Sequence, residues 1–214
     1  MNGFRLVVIG CVAALTACGG GGTPRSLGDS ASPTPSASAS ATAAPLPNGY
    51  IALTDHTGLV SIGVPHAWFH ARLDGSDPML TRLENGKGRV GTRWRSFAKS
   101  QNDGGVFAAA DPLSADAVLL IEREVGVEIT DLDRLDRELR PELAKAGTIR
   151  SSEHIKLDGK PGLRYHIDYT QDAGAVVHEV IDFFDVGGTI VDFTYTGAPG
   201  VIAAVAATVH FHSG

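Results

Sequence analysis

The chain is short of the residues that announce several common chemistries. Only two of its 214 residues are cysteines, too few for a disulfide framework or a four-cysteine zinc ribbon. No apolar run reaches the ~20 residues that a membrane-crossing helix needs. Basic residues are outnumbered, 18 Lys and Arg against 24 Asp and Glu for a net charge of -6. That balance removes the electrostatic basis of general nucleic-acid binding. There is no Gly-x-Ser-x-Gly elbow, which an α/β-hydrolase would need for its nucleophile. What is present is a hydrophobic fraction of 43%, ample for one core and too high for wholesale disorder.

The N-terminus carries a processing signal. Met1 to Arg5 holds one positive charge, and the short apolar run Leu6 to Leu15 follows. A charged start, a short apolar run and then small residues define a secretory signal peptide, here residues 1–17. Leu15-Thr16-Ala17-Cys18 resembles the bacterial lipobox, where the cut falls before a cysteine that then carries lipid. The resemblance implies Cys18 as the lipid-attachment residue and a mature chain without Cys11. Each buried methylene contributes ~0.8 kcal/mol, so two or more acyl chains hold stably where one does not.

Residues 18–47 read as that lipidated cysteine followed by a tether of Gly, Ser, Thr, Ala and Pro, broken only by Leu27, Leu46, Arg25 and Asp29. Such a composition cannot bury enough surface to offset chain entropy. A flexible coil of this length spans about 30 Å.

Residues 48–214 are expected to form a single domain. Tyr50 to Thr54 and Leu59 to Val64 predict a hairpin, with Pro65 ending its second strand. Residues 74–91 read as loop and 92–100 as a short helix. A strand is expected over 117–125. The apolar period then changes: Ile129, Leu132, Leu135, Leu139 and Leu143 recur at three- and four-residue steps, which predicts an amphipathic helix. Thr130 or Asp131 would cap it, Gly147 would stop it, and Pro141 should kink it or split off its last turn. Alternation predicts four further strands at 149–157, 162–170, 175–186 and 189–196, and a closing helix at about 199–209. The order argues for an α+β fold, an antiparallel sheet flanked by helices.

Several motifs match by spelling only. Gly86-Lys87-Gly88-Arg89-Val90-Gly91 has the G-x-G-x-x-G spacing but no buried strand before it, so it reads as a loop. His178-Glu179-Val180-Ile181-Asp182 approaches a zinc-peptidase helix. Its β-branched character predicts a strand, on which positions 178 and 182 lie ~13 Å apart, too far for one metal. Asp131, Asp133 and Asp136 imitate a calcium loop, but the leucine spacing makes that segment a capped helix. His66 with His70, and His210 with His212, read as surface histidines, the second pair near a frayed end. Arg164, His166 and Asp168 form the polar face of a half-buried strand and are the candidate binding surface.

Val60-Ser61-Ile62-Gly63-Val64-Pro65-His66-Ala67-Trp68 and the turn Asp158-Gly159-Lys160-Pro161-Gly162-Leu163 resemble two features of the PsbP-like family, an apolar strand running into Pro and Trp, and a glycine turn before a strand. In style the chain is similar to actinobacterial LpqN/LpqT-type lipoproteins. The resemblance implies a PsbP-like α/β sandwich and an adaptor or assembly role. The expected function is therefore a membrane-anchored cell-envelope lipoprotein, its domain on the extracytoplasmic side. It would act as a non-catalytic protein-binding module, with an envelope or extracellular protein as partner and no nucleic acid. No cofactor, metal or catalytic residue is expected. Two alternatives remain. A carrier of an apolar or lipid ligand would need a cavity lined by Leu163, Tyr165, Phe183, Phe193 and Tyr195. A hydrolase with dispersed residues would bring His166, His178 and a carboxylate together.

Overall fold

The structure, a computed structural model, describes residues 45–73, 105–114, 116–124, 131–170 and 176–212. Cys18, the expected loop and helix over 74–100, and the expected turn at 171–174 lie outside the described residues.

Alternating and buried apolar runs form the strands β1 (Tyr50–Thr54), β2 (Val60–Pro65), β3 (Phe69–Arg72), β4 (Gly105–Ala110) and β5 (Ala117–Glu124). After helix α1 (Leu132–Ala146) come β6 (Thr148–Leu157), β7 (Lys160–Thr170), β8 (Val176–Val186) and β9 (Thr189–Thr196), then α2 (Pro199–Ala206) and β10 (His210–Phe211). Seven strands make one antiparallel sheet in the order β3-β4-β5-β9-β8-β7-β6, and β1-β2-β10 make a small second one. The fold is α+β, as the period changes predict.

Two tight turns fix the register of the long strands. Asp158 and Gly159 both have positive φ (45° and 78°), as do Gly187 and Gly188 (66° and 88°). Two-residue turns of this hand match the twist of the strands they join.

The large sheet is apolar on both faces. On one, Phe184, Val191, Phe193, Leu120 and Val118 meet Val60, Ile62 and Val64 of β2 and Val205 and Ala206 of α2. On the other, Leu163, Tyr165, Ile167, Ile181 and Phe183 meet Leu135, Leu139 and Leu143 of α1. Asp131 caps α1 by accepting from Arg134 N–H at 3.0 Å. Tyr165 donates its hydroxyl to Asp136 Oδ1 (2.5 Å), tying the helix to the sheet. Burial and that bond together push the phenol pKa far up.

Three expectations need correction: the break at Pro141, the end of the closing helix and the frayed C-terminal segment. Pro141 does not split the helix, which runs unbroken from Leu132 to Ala146. Pro141 and Arg137, the residue whose carbonyl loses its partner, are both exposed, so water can take up the bond. Gly147 does stop α1, but its φ is -158°, so left-handed backbone is not the reason. A Cβ there would lie 2.7 Å from the Asp168 carbonyl and 2.8 Å from Ile167 Cγ2, so the position needs glycine because β7 passes too close. Finally, the closing helix ends at Ala206 rather than 209, and the chain turns to pair β10 with β2.

That last segment is docked, not frayed. Thr208 Oγ1 accepts from Gly63 N–H at 2.8 Å. Asp158 Oδ2 accepts from Phe211 N–H (2.9 Å) and lies 3.0 Å from His210 Nδ1. His212 N–H donates to the Leu59 carbonyl at 2.7 Å.

Leu139 is 6% exposed within the α1 layer. Leu139→Ala is expected to lower unfolding free energy by about 2–5 kcal/mol in urea titration. A loss below about 0.5 kcal/mol would instead mark the position as effectively exposed.

Candidate functional site

β7 sorts its residues by period two. Leu163, Tyr165 and Ile167 face α1, so Arg164, His166 and Asp168 point to the opposite side. The register sets Arg164 between Glu153 and Asp182, His166 between Ser151 and Val180, and Asp168 opposite His178. The three sequence-predicted residues therefore do share one face. Their partners come from β6 and β8 and were not anticipated.

Arg164 and Asp182 make a two-pronged ion pair, Nε to Oδ1 and Nη2 to Oδ2, both 2.6 Å. Asp182 has no exposed surface, and the Arg164 side chain is only 22% exposed. Burial pushes the Asp182 carboxyl pKa up, and Arg164 works against it. The same hydrogen bond holds the Arg164 proton more tightly. Tyr195, on the same face, has a fully buried hydroxyl with no partner among the described residues. Burial first, and the Asp182 charge second, raise its pKa well above the ordinary phenol value.

Asp168 is only 6% exposed. It accepts from Arg150 Nε and from His178 Nδ1, whose side chains lie over it and remain open to solvent. Burial alone would raise its pKa, but these two hydrogen bonds outweigh burial and hold the carboxyl below the usual range. His166 is half exposed, with Nε2 at 3.8 Å from Glu153 Oε1. The expected solvated strand face is thus only partly solvated: Arg164 and Asp168 form a buried footing, while Arg150, Glu153, His166 and His178 form the accessible layer above it. The signal that could have located Asp182 and His178 was the near-miss zinc motif. Its strand reading holds, and each of its two ends engages a different residue of β7.

The arrangement suits recognition of a mixed-charge surface, since donors and acceptors alternate on a rigid sheet. His166 and His178 do lie near carboxylates, yet among the described residues neither is hydrogen-bonded to a serine or cysteine. Among the described residues a Ser–His contact lies elsewhere, Ser61 Oγ to His212 Nε2 at 2.9 Å, and the neighbouring Asp158 bonds His210. The five proposed cavity residues do not converge. Leu163, Tyr165 and Phe183 lie in the core under α1, Phe193 and Tyr195 in the core on the opposite face, all within 3% exposure. Edge-to-face packing of Tyr165 on Phe183 and stacking of Phe193 on Tyr195 fill the space.

No protein-family model matches the chain, and no curated protein matches it either. Among solved structures it is similar to cyanobacterial PsbP (CyanoP) from Synechocystis sp. PCC 6803, with a TM-score of 0.49 and 14% identity over 77% of this chain and 93% of that one. It is also similar to a crystal structure from Bacteroides thetaiotaomicron VPI-5482, with a TM-score of 0.47 and 12% identity over 76% of this chain and 48% of that one. A third is the protein PA94 from Pseudomonas aeruginosa, with a TM-score of 0.35 and 10% identity over 73% of this chain and 88% of that one. Likeness at these values says nothing about chemistry.

Two outcomes test the site's physics. Arg164→Met should cost about 3–5 kcal/mol, because it strands a buried carboxylate, and adding Asp182→Leu should recover most of that loss. For Asp168, a depressed folded pKa means a stabilisation that is whole above the unfolded value of ~3.9 and vanishes as pH falls through the folded value. Urea midpoints measured down a pH series should therefore fall less steeply below pH ~4 in Asp168→Asn than in the wild type.

Proposed function

We propose that the protein is a membrane-anchored lipoprotein of the cell envelope whose domain binds another protein, without catalysis, through the charged ledge on β6, β7 and β8. The observation that carries the binding reading is the layering of that ledge. The enclosed Asp168 holds the exposed Arg150 and His178, His166 lies against Glu153, and the buried Arg164–Asp182 pair sits on the same face. Ordered charges of both signs favour a partner that presents a complementary mixed-charge surface, for which electrostatics supply specificity and encounter rate. A net charge of -6 speaks against nucleic acid as that partner.

The anchoring part rests on the sequence. Leu15-Thr16-Ala17-Cys18 and the Gly, Ser and Pro-rich segment after it suit a lipid on Cys18 and a flexible stalk that lets the domain reach partners at varied distances. The PsbP-like and LpqN/LpqT-type resemblance points the same way. The carrier alternative loses its motive, since its five lining residues occupy two separate cores.

Photo-crosslinking in intact cells tests the interface. A crosslinker at Glu153 or His178 is expected to trap a discrete protein adduct, while one at the fully exposed Leu113, in the β4–β5 connection, should not. Adducts at Leu113 alone would move the interface elsewhere, and labelling of Ser61 by a serine-hydrolase probe would overturn the non-catalytic reading. Cys18→Ala should shift the protein out of the membrane fraction, and mass spectrometry of an unlipidated mature wild-type N-terminus would refute the anchor.

A further inference from the structure

The turn between β1 and β2 packs against the large sheet with two carboxylates facing each other. Asp55 is 3% exposed. Its Oδ1 accepts from Val60 N–H at 2.9 Å, and its Oδ2 accepts from Thr57 N–H at 3.2 Å and from the Thr57 hydroxyl. These three bonds orient Asp55 firmly. Glu122, on β5, is 8% exposed at its side chain, and His56 Nδ1 lies 3.1 Å from its Oε2. Its other oxygen, Oε1, is buried with no hydrogen-bond partner. Among the described residues, these three form a group in which one ligand atom from each lies within 4.8 Å of the others.

We infer that Asp55, His56 and Glu122 bind one divalent transition-metal ion of the zinc type, between the β1–β2 turn and the large sheet. Two carboxylate oxygens and one imidazole nitrogen are a three-ligand set that zinc accepts, with water in the fourth position. Imidazole in the set favours zinc over magnesium or calcium, which prefer oxygen throughout. Ligands at ~2.0–2.1 Å from a tetrahedral ion lie about 3.3 Å apart, and the His56–Glu122 separation of 3.1 Å is already close to that edge. Thr57 and Val60 supply the outer hydrogen bonds that orient a metal-binding carboxylate. An ion at this carboxylate would also give the unpartnered Oε1 a positive neighbour, and a buried acceptor without a donor is costly.

Without a cation, burial and the adjacent Asp55 push the Glu122 carboxyl up to about 8. Burial acts on Asp55 in the same sense, but hydrogen bonds with Glu122, Thr57 and Val60 outweigh it and leave Asp55 below its ordinary value. His56 is 62% exposed at its side chain, which leaves the approach open to solvent. No local pattern pointed to this set, because Glu122 stands far along the chain from Asp55 and His56.

Calorimetric titration of Zn²⁺ into the tag-free full-length chain, with thermal melting alongside, tests the site. One Zn²⁺ should bind per chain and raise the melting midpoint. Glu122→Gln can donate its amide to Asp55, and His56→Ala alters an exposed side chain, so both should fold. Each is expected to weaken zinc by about tenfold or more, while His210→Ala leaves it unchanged. If the wild type takes up no zinc, or if both variants bind it as tightly as the wild type, the carboxylates are a proton-sharing couple and the inference is overturned.

Discussion

Water has to be excluded from both faces of the seven-stranded sheet, because the strands alternate between two apolar sets rather than between an apolar and a polar one. Phe183 and Phe184 are adjacent in β8, point to opposite sides, and are both buried. A sheet of this kind needs two covers. Over β7 and β8, α1 supplies one, with three leucines and the Tyr165–Asp136 bond, while Leu119 and Ile121 of β5 pack on that side with Leu73, Ala108 and Ala110. The other is composite, made from the β1-β2-β10 sheet and α2. Removing either would expose a face whose residues have no alternative partner.

The charged ledge is a consequence of how far the composite cover extends. Where β2 and α2 overlie the sheet, the same face carries Val118, Leu120, Phe184 and Phe193. Towards β6 it carries Arg150, Glu153, His166 and His178 instead, at side-chain exposures from 43% to 76%. Arg164, Asp182 and Tyr195 lie where the two meet. A fully enclosed carboxylate held by a half-shielded guanidinium is what such a border allows. The ion pair is dry enough to be strong and open enough on one side that Arg164 keeps part of its hydration.

Local periodicity carried most of the fold. β6 to β9 fall within a residue or two of their expected limits, because alternation over eight or more residues is hard to imitate, and the leucine stripe fixed α1 as clearly. β10 was missed for a physical reason. Two residues have no period, and their strand character comes from β2, whose Ser61 side chain meets His212 across 151 residues of sequence. The site divides in the same way. The set Arg164, His166 and Asp168 was legible from one strand's alternation. The burial of Asp182 and the capping of Asp168 by Arg150 and His178 depend on register between strands, which no single segment records. Gly147 shows a subtler gap: its place at the end of α1 was foreseen, but the reason, a close pass of β7, exists only once the chain has folded.

The placement of β10 has a bearing on the order in which the molecule can be completed. β2 finds β1 at once through a short turn, yet its other edge waits for a segment made long afterwards. Gly63, in the middle of β2, exchanges hydrogen bonds with Thr208 across 145 residues. Until that segment arrives, one edge of β2 is unpaired and part of the composite cover is missing. Pairings this distant are slow to form and leave strand edges open to other chains meanwhile. A molecule built this way benefits from being kept unfolded until nearly all of it is available.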